Sequence, residues 1–127
     1  MSSELNQANK QAVWSFWQAL ENGSDEAAAQ ACIASMAPGM PCNGPEPIGA
    51  LQGPEAYARE FWKPFTAAFS NPRRISHLFF GGRSSGRKDG RGDGAHWVCG
   101  TGLFRGAFRQ DWLGIPATGK EVDIRWG

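Results

Sequence analysis

Two histidines, His77 and His96, are the side chains of this sequence best suited to moving protons near neutral pH. His96 is the better placed, standing beside Trp97 at the start of a run broken by glycines. Asp111 and Asp123 are the acids that could work with it, so His96, Asp111 and Asp123 form the candidate catalytic set. A satisfied or surface histidine is the commoner use of such a residue. Asp123 and Arg125 stand two apart in an alternating stretch, which puts both on one face of a strand. Turned inward they would meet a ligand. Turned outward with Glu121 they make a solvated ion pair, the commoner use of that spacing.

Other chemistries find less support. Cys32, Cys42 and Cys99 are an odd, sparse set without a CxxC pair, unlike a disulfide framework. His96 and Cys99 lie three apart, but one such pair does not supply the four ligands of a structural zinc site. The expectation is therefore no metal, no cofactor and a reduced, cytoplasmic setting. Neither a Ser-His-Asp nor a Cys-His constellation can be assigned. Arg83, Arg87, Lys88 and Arg91 crowd a glycine-rich stretch that could touch phosphate. Asp89 and Asp93 interleave with them, and no Walker-type Gly-Lys-Ser/Thr is present, so a solvated loop is expected. Arg91-Gly92-Asp93, an integrin-type tripeptide, reads as a chance match in a chain of this kind.

The aromatic supply is the strongest hint of binding: six Trp, eight Phe and one Tyr. Trp17, Phe61, Trp62, Phe65, Phe79 and Trp97 could wall a pocket for a flat apolar ligand. Taken singly, each ring is more often plain core.

The elements that must position these groups follow from length and pattern. A chain of 127 residues makes one domain and buries roughly two-thirds of its unfolded surface. With 13 basic and 12 acidic side chains it has no field to gather nucleic acid or an anionic membrane. No stretch approaches the roughly 20 apolar residues of a membrane span. The opening MSSELNQANK has neither the basic nor the apolar region of a signal peptide.

Leu5, Ala8, Ala12, Val13, Phe16, Trp17 and Leu20 form a helical stripe, with Ser3 as its cap and Asn22-Gly23 as its stop. Ser24-Asp25-Glu26 starts a second, Ala-rich helix that should end before Pro38-Gly39. Residues 41–47 hold three prolines and should be an extended, turning connection. Gly53-Pro54-Glu55 starts a third helix, which Pro64 should kink near Glu60 and Asn71-Pro72 should end. From Arg74 the period becomes two, with Ile75, His77 and Phe79 on one face and Ser76, Leu78 and Phe80 on the other. Residues 81–94 hold six glycines and should be a mobile loop between two strands. His96–Phe108 and Lys120–Trp126 then read as strands, joined through a turn over Gly114–Gly119. Helices followed by strands predict an α+β domain whose three N-terminal helices pack on one face of an antiparallel sheet.

Read as strings, the residues become more specific. Asn43-Gly44-Pro45-x-Pro47, Phe61-Trp62-x-Pro64-Phe65 and Ala68-Phe69 resemble the SnoaL-like polyketide cyclase group of the nuclear transport factor 2-like superfamily. Gly100-Thr101-Gly102, Gly106-x-Phe108 and above all Gly114-Ile115-Pro116-Ala117-Thr118-Gly119-Lys120 look like that group's sheet. The resemblance covers nearly all of residues 1–127, as a single domain. It implies a curved antiparallel sheet wrapped into a cone around an apolar pocket, cystatin-like in outline, and a homodimer formed through the sheet. It further implies acid/base chemistry, such as cyclisation, isomerisation or hydration, on a small apolar molecule. Asp123 and Arg125 resemble the water-holding pair of the superfamily's epoxide hydrolases. Two positions depart. Phe104-Arg105-Gly106 occupies the group's His-x-Gly place, which adds Phe104 to the candidate ligand wall, with Arg125. The group's acid/base Asp belongs to a strand after those seen here, so an open sheet edge is expected. The alternative reading is a non-catalytic module for ligand binding or homodimeric assembly.

Overall fold

The computed structural model describes residues 2–84 and 94–127. The first helix, α1 (Ser2–Asn22), already includes Ser3, which therefore lies in its first turn and not at its cap. Its apolar stripe is covered toward the C-terminal end: Leu5 is exposed, Phe16 and Trp17 are half-buried and Leu20 is buried. The second helix, α2 (Asp25–Ser35), begins as its sequence demands. Ser24 keeps an extended backbone, and its hydroxyl accepts from the Ala27 N–H at 3.2 Å. Asp25 and Glu26 follow in the first turn, at the positive end of the helix dipole. Ala28 and Cys32 are its buried face.

The proline-rich connection is more ordered than expected. It forms a two-stranded antiparallel hairpin, β1 (Pro41–Asn43) with β2 (Ala50–Gln52), Cys42 facing Leu51. Proline costs little there because Pro41 starts a strand while Pro45 and Pro47 sit in the turn. The third helical stretch runs as α3 (Pro54–Ala56), a π-helical segment (Tyr57–Trp62) and α4 (Lys63–Ala68). The break expected near Glu60 takes the form of this widened segment. Its closing bond runs from the Lys63 N–H to the Ala58 carbonyl, five residues back. Pro64, which has no N–H to give, then falls in the first turn of α4.

Asn71-Pro72 does not end the helix. β3 (Phe69–Arg83) begins earlier and runs through both residues. A bulge between Ser70 and Arg73, with Asn71 at φ 49°, lets the proline sit in a strand without owing a ladder bond. A second irregularity between Ser76 and Leu78 overturns the expected alternation: Ile75 faces Leu103, but Phe79 faces Gly100, on the opposite side of the sheet. One extra residue at His77 causes the switch, since side chains alternate with a strict period of two. β4 (His96–Phe108) and β5 (Glu121–Trp126) complete an antiparallel sheet in the order β3-β4-β5. The glycine-rich stretch joining β3 to β4, with Arg87, Lys88, Asp89 and Arg91-Gly92-Asp93, lies outside the described residues.

The architecture is α+β, with three helical stretches and a three-stranded antiparallel sheet. The sheet's inner face is written in β4, where Gly102, Phe104, Gly106 and Phe108 are buried in alternation. Phe104 and Phe108 join Trp62, Phe65, Phe69 and Leu20 in the core. Gly102 is a point of close approach: a Cβ there would overlap the Ile75 carbonyl and come within 2.9 Å of the Trp126 ring. Between β4 and β5, Leu113 and Gly114 both take positive φ (55° and 75°) in a tight turn closed by the Trp112–Ile115 bridge.

Candidate functional site

The three candidate acid/base residues occupy different places. His96 pairs with Arg83 at the far end of β4 and is exposed. Asp123 faces Arg105 on the opposite side of the ladder. Arg105 is nine residues along β4 from His96, so the two sites are about 30 Å apart at the rise of a strand. Asp111 lies beyond the other end of β4, where its carboxylate accepts from the Ala117 N–H at 2.8 Å and ties the turn together. The fold does not bring them together, and His77 is exposed at its bulge.

Asp123 belongs to an ionic ladder on the outer face. Arg105 donates to both of its oxygens, Nε to Oδ1 at 2.7 Å and a terminal nitrogen to Oδ2 at 3.0 Å. This fork holds the Asp123 carboxyl below the usual carboxylate range, chiefly through the hydrogen bond, and raises the Arg105 guanidinium for the same reason. Glu121 lies between Arg73 at 3.1 Å and Arg105 at 3.7 Å. Arg125 shares this face, is exposed, and makes no ion pair among the described residues. Farther along the same face Leu78, Phe80 and Trp97 are 59%, 54% and 58% exposed. Trp97 therefore stands apart from the ring set with which it was grouped.

The other expected ligand-wall residues do converge, on the inner face. Phe65 and Phe104 meet edge to face at 5.2 Å and form a buried hub. Phe61 stacks on Phe65 with planes 9° apart, and Trp62 reaches both hub rings. Trp126 approaches Phe104 at 6.5 Å and meets Trp17 edge-on at 5.1 Å. Phe79 packs on Trp17 at 5.3 Å. Phe61, Tyr57, Trp112 and Trp126 remain half-buried around the hub.

The most distinctive feature of this wall is a cation that sequence pattern did not single out. Arg74 sits opposite Phe104 in the ladder, and its guanidinium lies 4.2 Å from the Trp17 ring centre, 4.5 Å from Phe104 and 4.7 Å from Trp126. Its Nε donates to the Glu21 carboxylate from the end of α1. Three rings and one counter-ion thus compensate a charge whose side chain is only 9% exposed. The signal was present only in part: Arg74 shares the period-two face of Ser76, but nothing local ties it to Glu21, 53 residues away. Tyr57 stands within electrostatic reach of Arg74. Burial pushes its hydroxyl up to about 12; the neighbouring thiols of Cys42 and Cys32 add to the rise and Arg74 opposes it. Beside the cage, the indole N–H of Trp126 is buried without an acceptor.

Two recesses open on the helical side. One of about 100 Å³ is lined by Glu21, Ser24, Trp62 and Phe104. Another of about 250 Å³ lies between α2 and the π-helical segment, edged by Asp25, Glu26, Glu55, Arg59 and Lys63. Both are smaller than the roughly 300–1,000 Å³ of ordinary ligand pockets. Among the described residues, no three of His, Cys, Asp and Glu are placed to share a metal ion, and no helix is long and apolar enough to cross a membrane. Comparison with protein-family models, with curated proteins and with solved structures returned no match.

Proposed function

We propose that this chain is a small-molecule-binding domain of the SnoaL-like kind. Its inner aromatic wall takes a flat apolar ligand that carries a hydrogen-bond acceptor, and it binds this ligand without turning it over. The observation that carries the reading is the buried indole N–H of Trp126, which has no hydrogen-bond partner among the described residues. Leaving such a donor unpaired costs about 1–3 kcal/mol, which a ligand oxygen would recover. The cation against the same ring suits that oxygen too: Arg74, 4.7 Å from the Trp126 ring centre, is a donor only. The separation of His96, Asp111 and Asp123 favours binding over acid/base turnover, because proton transfer needs donor and acceptor within hydrogen-bond reach.

The test uses 1-tetralone, a flat apolar ketone, and tetralin, the same skeleton without the oxygen. Titration into ¹⁵N-labelled protein should move the Trp126 indole resonance, identified by its loss in Trp126→Phe. Tetralone should bind about tenfold more tightly than tetralin, the worth of one buried hydrogen bond. Equal affinity of the two compounds, or a Trp126 resonance that does not respond, refutes the reading.

A further inference from the structure

β5 is paired along one edge only. It meets β4 from Ala107↔Glu121 to Gly102↔Trp126, and among the described residues no strand pairs with its other edge. A free edge offers a row of backbone donors and acceptors, and soluble proteins usually blunt it with proline, charged side chains, a bulge or a covering element. β5, Glu-Val-Asp-Ile-Arg-Trp, has no proline and its ladder to β4 runs without a register shift; its three charges are of both signs, so they repel a copy of the same strand in some registers and attract it in another. Its pattern is regular, with Val122, Ile124 and Trp126 half-buried on the inner side and Glu121, Asp123 and Arg125 exposed on the outer.

That pattern is self-complementary in one register. Two copies of β5 laid antiparallel about a two-fold axis at Ile124 set Asp123 opposite the partner's Arg125, and Arg125 opposite the partner's Asp123. Val122 then meets the partner's Trp126 on the inner face, and Ile124 meets its own counterpart. Moving the axis to Asp123 or to Arg125 places identical charges directly opposite each other, which destabilises a sheet. Moving it by half a residue sets inner side chains against outer ones. Arg125, which makes no ion pair among the described residues, thereby gains a carboxylate, and the remaining oxygen lone pairs of Asp123 are used without breaking its fork to Arg105.

We infer that the free edge of β5 is a seam for a second copy of this chain, joined antiparallel about Ile124 into one six-stranded sheet. This inference is independent of the ligand reading. It also differs from a dimer made face to face through Leu78, Phe80 and Trp97, because it predicts contacts at the edge and not on the face.

The experiment combines charge exchange with cross-linking on the full chain. Sedimentation equilibrium should give a dimer whose dissociation constant rises about tenfold in Arg125→Asp, where two like-charge pairs replace two opposite ones. The double variant Asp123→Arg/Arg125→Asp should recover to within about threefold, because exchanging both signs restores the pairing. Since Asp123 also holds Arg105, circular dichroism confirms that the double variant is folded. Cross-linking asks the same question without disturbing a charge. In a Cys99→Ser background, Ile124→Cys should oxidise to a covalent dimer, because directly opposed Cβ atoms lie about 4.5–5.5 Å apart and a small shift of the two edge strands brings them to the roughly 3.5–4.5 Å of a disulfide. The Cys99→Ser parent should not. A monomer at all concentrations, or a dimer that ignores Arg125→Asp and leaves Ile124→Cys reduced, overturns the inference. The second result assigns the contact to the outer face.

Discussion

Replacing Glu21 by Gln tests whether the caged arginine depends on its counter-ion or on its rings. The substitution keeps shape and one acceptor oxygen but removes the charge facing Arg74, whose side chain is 9% exposed against 25% for Glu21. Removing one partner of a fully buried pair costs about 3–5 kcal/mol. Solvent reaches Glu21, and three rings still face the cation, so the loss here should be about 2 kcal/mol. Arg74→Met removes the cation while filling much of its volume, and a thioether sits well among aromatic rings. Its cost should be about 1–2 kcal/mol, mostly lost cation–π contact, because the carboxylate left behind can turn to water. With the cation gone, Glu21→Gln has little left to remove. In the Arg74→Met background it should cost about 0.5 kcal/mol or less, giving a coupling energy of about 1.5 kcal/mol. Urea unfolding followed by tryptophan fluorescence measures all four corners of the cycle, since a domain of this size generally unfolds in one step. If the coupling falls below about 0.5 kcal/mol, the pair behaves like an exposed ion pair and the cage argument fails.

Tyr57 is the only tyrosine, so tyrosinate absorbance reports on it alone. Its hydroxyl, held near 12 in the fold, should ionise about two pH units above an unfolded tyrosine. A folded value raised above the unfolded one gives stability that is complete below pH 10 and lost as pH rises through 12, roughly 2–3 kcal/mol in all. Ionisation near pH 10 in the folded protein would remove that contribution. Gly102→Ala should destabilise by about 2 kcal/mol or more, because the new methyl meets the Ile75 carbonyl and the Trp126 ring. Gly82→Ala, with nothing within 4 Å of its Cβ, should change stability by less than about 0.5 kcal/mol. Thermal or urea denaturation separates the two, and similar losses would contradict the packing described.

Local chemistry was readable where it is self-contained. Ser24 with two acids behind it announced α2, and Gly53-Pro54 announced the third helical stretch, because caps and proline act on their own neighbours. The strand over His96–Phe108 and the connection over Gly114–Gly119 that follows it came equally from short-range pattern. What escaped was non-local. The extra residue at His77 reverses the faces of β3 although its own sequence keeps a clean period of two, since a bulge is set by the partner strand. The separation of the candidate acid/base residues is non-local too: His96 and Asp123 both lie on the sheet, but ladder register sets them far apart. Nothing near Arg74 in the sequence pointed to Glu21 and Trp17, which α1 delivers to it. Most of the grouped rings, Trp97 excepted, were legible as a set, because the helical period aims Trp17, Trp62 and Phe65 inward.

The π-helical segment ties two features of the third helical stretch to each other. A wide turn of this kind takes up one surplus residue locally, leaving the coils before and after it aimed as a regular helix would aim them. In a regular coil the ring of Pro64 would press on the carbonyl of Glu60, four positions earlier. Shortening Tyr57–Trp62 by one residue is therefore compatible with the same footing for Trp62 and Phe65 only if Pro64 is exchanged as well. Chain length here and imino acid there must change as a pair or not at all.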